Sequence, residues 1–190
     1  MFIDFVTLML INLSAGFASL ALGLAYNELD PWTMPLLMSS FIALVTGFRM
    51  VFTWPLPGPY NMAFGEMSVL AGTLFGGIAL SALANWPLGP LAVYGLLAAL
   101  AAVTIGWRIL RLRLTRSPAL SCTGFTASGV GGFLTVLSFV YTDIAPLRWM
   151  AATLLLVAAL IWALVGLRAC AEHMESFADW PGQTKPPSKP

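Results

Sequence analysis

The sequence predicts an all-α polytopic integral membrane protein, a bundle of six transmembrane helices. Three observations carry that expectation. Hydrophobic residues make up 59% of the 190-residue chain and charged residues only 9%, with a mean hydropathy of +0.86, whereas a soluble domain is roughly 25% charged. Six stretches are long and apolar enough to cross about 30 Å of hydrocarbon, which takes about 20 helical residues. Basic residues gather on one side of the topology that those stretches define. So few charged side chains cannot cover a water-facing surface, which excludes a disordered chain, a soluble enzyme fold and a nucleic-acid-binding domain. The spans must be helical, because lipid offers no partner for backbone polar groups and the alternation of barrel strands is absent.

The first span is predicted over residues 5–27, closed by Glu28 and Asp30. Met1-Phe2-Ile3-Asp4 lacks the basic region of a secretory signal, so this helix is expected to be retained. The second covers residues 34–54, between Pro31 and Pro35 on one side and Pro55, Pro57 and Pro59 on the other. The third and fourth, residues 66–85 and 90–109, are joined by a short turn containing Pro87 and Gly89. The fifth, residues 119–141, is diluted by Ser121, Thr123, Thr126, Ser128 and four glycines, a composition that suits a bundle-interior helix or one with a bend. The sixth covers residues 149–171, and residues 182–190 form a proline-rich, extended tail.

Six crossings put both termini on one side. That side collects Arg49, Arg108, Arg111, Arg113, Arg116, Arg168, Lys185 and Lys189, against Arg148 alone on the other, which also carries Glu28, Asp30 and Asp143. The asymmetry predicts an inner (plasma) membrane protein with both termini cytoplasmic. Arg108 to Arg116 reads first as a determinant of that orientation, with side chains that snorkel to the interface, and second as a patch for anionic head groups. Cys122 and Cys170 fall near cytoplasmic helix ends, where free thiols are expected.

Small residues recur at helical spacing: Gly72/Gly76 on the third span, Gly124/Ser128/Gly132 on the fifth, and Ser14/Ala18 and Ser19/Gly23 on the first. Such faces let helix backbones approach closely in lipid. Packing within the chain is the first expectation, and an interface with another membrane subunit or a second copy is the alternative.

Ionisable residues are nearly absent from the middles of the spans, which argues against a proton-coupled pump. Arg49 lies about 8 Å inside a span by helical rise. With Tyr60, Asn61, Glu66, His173 and Trp180 it forms the candidate ligand-binding set on the cytoplasmic face, where an Arg49–Glu66 pair would offset the cost of an Arg at that depth. Such a set can hold a lipid head group, a quinone or a small polar solute. Each member also has a structural role open to it: a carboxylate at a helix N-terminus for Glu66 and a cation at a helix C-terminus for His173, a side-chain turn for Asn61, snorkelling for Arg49 and an interfacial aromatic belt for Tyr60 and Trp180. No catalytic residue, metal site or cofactor is assigned. His173 is the one histidine, so a six-coordinate haem would need a methionine such as Met50, Met62 or Met67 as second ligand.

Three segments carry a family resemblance: Pro59-Tyr60-Asn61 followed by Phe64-Gly65-Glu66, then Arg113-Leu114-Thr115-Arg116-Ser117-Pro118, then His173-x-x-Ser176-Phe177-x-x-Trp180-Pro181. In these the chain resembles a family of small prokaryotic multi-span membrane proteins known only as a domain of unknown function. The resemblance spans the first helix to Pro181. It implies a multi-helix membrane fold and supplies no reaction or ligand. Three functions stay open: a non-enzymatic accessory or structural subunit of a membrane complex, placed first; a transporter or channel for a small solute or lipid; and a membrane-bound binding or redox protein.

Overall fold

The computed structural model describes residues 5–56 and 59–175. They form helices α1 (Phe5–Tyr26), α2 (Thr33–Thr53), α3 (Met67–Leu83), α4 (Leu91–Leu112), α5 (Pro118–Val140) and α6 (Ala145–Glu175), with no strand among them. A short 3-10 turn, Asp30–Trp32, leads into α2, and a π-helical segment, Asn61–Glu66, leads into α3. All six helices, with these lead-in turns, are long and apolar enough to cross a membrane. The chain is therefore an all-helical integral membrane protein.

Local chemistry sets the helix ends. Asn27 (φ 55°) and Asn85 (φ 54°) adopt the left-handed conformation that follows a helix. The next amide reaches back in each case, Glu28 N–H to the Gly23 carbonyl at 2.9 Å and Trp86 N–H to the Ser81 carbonyl at 2.8 Å. Asparagine tolerates this conformation better than most residues, which is why the helices stop there. Pro118 opens α5, where its missing N–H costs nothing.

The helices form a ring. α1 packs along both α6 and α2, α2 along α3, α4 along α5, and α5 along α6; α3 and α4 close the ring through a much thinner contact. The small-residue faces work inside this ring. A Cβ added at Gly72 would come within 3.0 Å of Ala43 Cβ, and one at Gly76 within 2.6 Å of Ser40 Oγ, so the third-span pair seats α3 on α2. Gly124 abuts Trp162 on α6 and Gly129 abuts α4, so α5 lies wedged between two neighbours. Hydrogen bonds tie the helices where water is absent. Asn12 Nδ2 donates to the Ser39 carbonyl at 2.8 Å, Ser14 Oγ to the Ala159 carbonyl at 2.7 Å and Trp162 Nε1 to Ser128 Oγ at 2.9 Å.

Two details differ from what the sequence predicts. The loop expected before residue 66 is helical from Asn61, so Glu66 ends a π turn and does not open a helix. α6 extends four residues beyond the expected span at each end, so His173 lies within its last turn. α5 follows the bundle-interior alternative of the two expected for it, running as one α-helix whose small residues accept α4 and α6. The proline-rich tail, residues 182–190, lies outside the described residues.

Candidate functional site

The alternating run of six helices gathers the chemistry at two ends of the bundle. Residues from both termini of the described chain, Val6 and Glu172, line one recess, so both chain ends lie together. This basic end carries the α4–α5 connection with Arg113 and Arg116. The far end carries the α1–α2, α3–α4 and α5–α6 connections, and there Arg148 Nη1 on α6 donates to Asn27 Oδ1 after α1 at 2.7 Å.

At the basic end, an open recess of about 210 Å³ includes Tyr60, Phe64, Arg116, Arg168 and Glu172 in its lining. Arg116 pairs with Glu172 across it, both side chains well exposed. Tyr60 is the one candidate from the sequence that lines this recess; Arg49, Glu66 and His173 do not. Arg49 and Glu66 are exposed, and the pairing expected between them does not form. His173 is half-buried and engages a partner. Trp180 lies outside the described residues.

Asn61 is fully buried, and its work is local. Its Oδ1 accepts the Leu56 amide at 3.1 Å and its Nδ2 donates to the Leu56 carbonyl. This clamp fixes the chain between α2 and the π segment. The π turn in turn rests on α2 at two glycines: a Cβ at Gly47 would come within 2.9 Å of the Gly65 carbonyl, and one at Gly65 within 2.9 Å of Met50 Cβ. Phe64 is thereby turned into the bundle. It packs against Phe125, ring centroids 5.7 Å apart, and edge-on to Trp162 at 6.3 Å; Phe125 and Trp162 meet at 5.0 Å. This aromatic layer separates the basic end from the middle of the bundle.

The far end holds a larger recess, a vestibule of about 450 Å³. That falls within the roughly 300–1,000 Å³ range of small-molecule sites. Asn27, Asp30, Ser81, Asn85, Ser138 and Arg148 supply its polar lining, and Leu24, Leu88 and Phe139 part of its apolar lining. Directly beneath it lies an almost wholly apolar cavity of about 60 Å³. The two are stacked on shared helices: Leu20 lines the cavity and Gly23 the vestibule on α1, Ile78 and Ser81 on α3, Val136 and Phe139 on α5. The cavity also takes in Leu74 of α3 and Gly95 of α4, beside the thin α3–α4 seam. Among the described residues no group of three or more His, Cys, Asp or Glu side chains could hold a metal ion.

The vestibule leaves little trace in the sequence, where its one signal is Arg148, the solitary basic residue on an otherwise acidic side.

The comparison with protein families gives a match over residues 1–176, nearly the whole chain, to a family described as protein of unknown function (DUF981). The chain belongs to that family. DUF981 membership agrees with the resemblance carried by the Pro59–Glu66 and Arg113–Pro118 segments, and it leaves the activity to be argued from the site. No curated protein and no solved structure matches the chain.

Proposed function

We propose that this DUF981 protein works by binding rather than by catalysis, taking up an amphiphile from the bilayer. The head group occupies the far-end vestibule, and the start of an acyl chain leaves through the cavity and the α3–α4 seam. The observation that carries this reading is the stacking of a polar recess on an apolar one beside the weakest joint of the ring. The cavity, about 60 Å³, is well below the roughly 150 Å³ that accommodates benzene, so it suits a narrow chain rather than a ring compound. An acyl chain gains little by moving from lipid to this cavity, since both are apolar. Selectivity therefore rests with the head group. With the arginine-rich end cytoplasmic, the vestibule faces the outer side of the membrane.

The test uses Gly132, where an added Cβ meets nothing within 4 Å and which lines the cavity. Lipid retained by the purified, extensively washed protein is measured by mass spectrometry. The native chain should hold about one lipid per protein, and Gly132→Leu should lose it while remaining folded. Equal retention by both contradicts the proposal. The thin seam also favours a second reading, that a helix of a partner subunit fills it and the protein is an accessory subunit of a membrane complex. Stoichiometric co-purification of another membrane protein in mild detergent would support that reading.

A further inference from the structure

The vestibule carries two opposite charges that the protein does not pair. Arg148 lies in the first turn of α6, where the helix dipole makes a cation unfavourable, and α6 has no acidic residue in that turn. Its side chain gives one hydrogen bond, to neutral Asn27, and its Nε is buried with no partner. Asp30 lines the same vestibule, and it does not take part in the Arg116–Glu172 ion pair, which lies at the other end. Arg148 and Asp30 thus face one 450 Å³ space without meeting each other. A guanidinium binds phosphate oxygens through a planar fork of donors, and a carboxylate accepts from an ammonium. The vestibule also lies at the helix ends, the level at which lipid head groups sit.

We infer that the vestibule recognises a zwitterionic phospholipid head group, its phosphate on Arg148 and its primary ammonium on Asp30. This deepens the amphiphile reading and rests on it. Asn27 orients the guanidinium, and Asn85 offers hydrogen bonds to glycerol or phosphate oxygens from the vestibule wall. A head group with phosphate but no ammonium leaves Asp30 facing an anion, which penalises it.

The experiment titrates the delipidated full chain in maltoside micelles with dihexanoyl phosphatidylethanolamine, dihexanoyl phosphatidylglycerol and soluble glycerophosphoethanolamine, reading thermal stabilisation. The ethanolamine lipid should bind about tenfold tighter than the glycerol lipid, the loss that one charge-assisted contact represents. Asp30→Asn should abolish that preference, and Arg148→Ala should weaken both lipids while Arg148→Lys partly restores them. Equal affinity for the two lipids overturns the head-group assignment but leaves the amphiphile reading standing, provided Gly132→Leu still weakens both. Binding of neither lipid overturns both. Binding of glycerophosphoethanolamine as tight as that of the lipid, and insensitive to Gly132→Leu, assigns the vestibule to a soluble zwitterion and overturns the lipid assignment.

Discussion

Gly129 and Gly132 lie on α5 three residues apart, and the ring packing gives them opposite responses to the same substitution. A Cβ at Gly129 would come within 2.8 Å of the Ala99 carbonyl oxygen, a backbone atom of α4 that cannot rotate aside, and within 3.0 Å of Val103 Cγ2. At Gly132 it would meet nothing within 4 Å, because that position opens on the apolar cavity. Replacing a helix-interior glycine by alanine contributes about 1 kcal/mol through backbone entropy. Overpacking costs about 1–3 kcal/mol. Gly132→Ala should therefore stabilise by about 1 kcal/mol, whereas Gly129→Ala should be neutral to about 2 kcal/mol destabilising. The gap between the variants, about 1–3 kcal/mol, corresponds to several degrees in Tm for a chain of this size. Thermal unfolding in maltoside, followed by helical circular dichroism, reads it directly. Shifts of the same sign and size in both variants would refute the wedged placement of α5 and the cavity beside it.

Other outcomes follow from the same packing. Asn61→Ala removes both hydrogen bonds to the Leu56 backbone and should lower stability by about 1–3 kcal/mol, and Asn61→Asp, which sets a buried carboxylate oxygen against the Leu56 carbonyl, should cost at least as much in the same unfolding assay. Ser14→Ala removes the α1–α6 bond to Ala159 and should cost about 0.6 kcal/mol, the average for such bonds in membrane bundles. Arg116→Ala breaks the exposed pair with Glu172 and should change stability by less than about 1 kcal/mol, since exposed ion pairs contribute little; a larger loss would mean that the pair holds the basic end together. Reporter fusions at the two termini should give signals from the same side of the membrane, and opposite sides would contradict the six-span topology.

Much of the fold was legible in the sequence because lipid makes strong demands on it. Spans of about 20 apolar residues, the Pro55–Pro59 break and the small faces at Gly72/Gly76 and Gly124/Ser128 each follow from a physical requirement that composition exposes, whereas Gly132, expected on the same face, meets no neighbour. The π turn was not legible. Asn61-Met62-Ala63-Phe64-Gly65-Glu66 reads locally as a turn, and its close seating on α2 depends on Gly65 together with Gly47, 14 residues before Asn61. The candidate site was legible in small part. Tyr60 reaches a recess, whereas Asn61 spends its hydrogen-bonding capacity on Leu56, and Arg49 and Glu66 point to the surroundings instead of to each other. The vestibule draws on three separate segments, residues 23–30, 81–88 and 138–148, and such convergence depends on which helices neighbour one another around the ring. Spacing along the chain carries no record of that order.

The most direct measurement is an experimental density map of the protein reconstituted in ethanolamine-lipid nanodiscs. An elongated density with its head between Arg148 and Asp30 and its tail entering between α3 and α4 is the predicted result. A vestibule holding only solvent, with α3 and α4 sealed against each other beside Gly95, would contradict it.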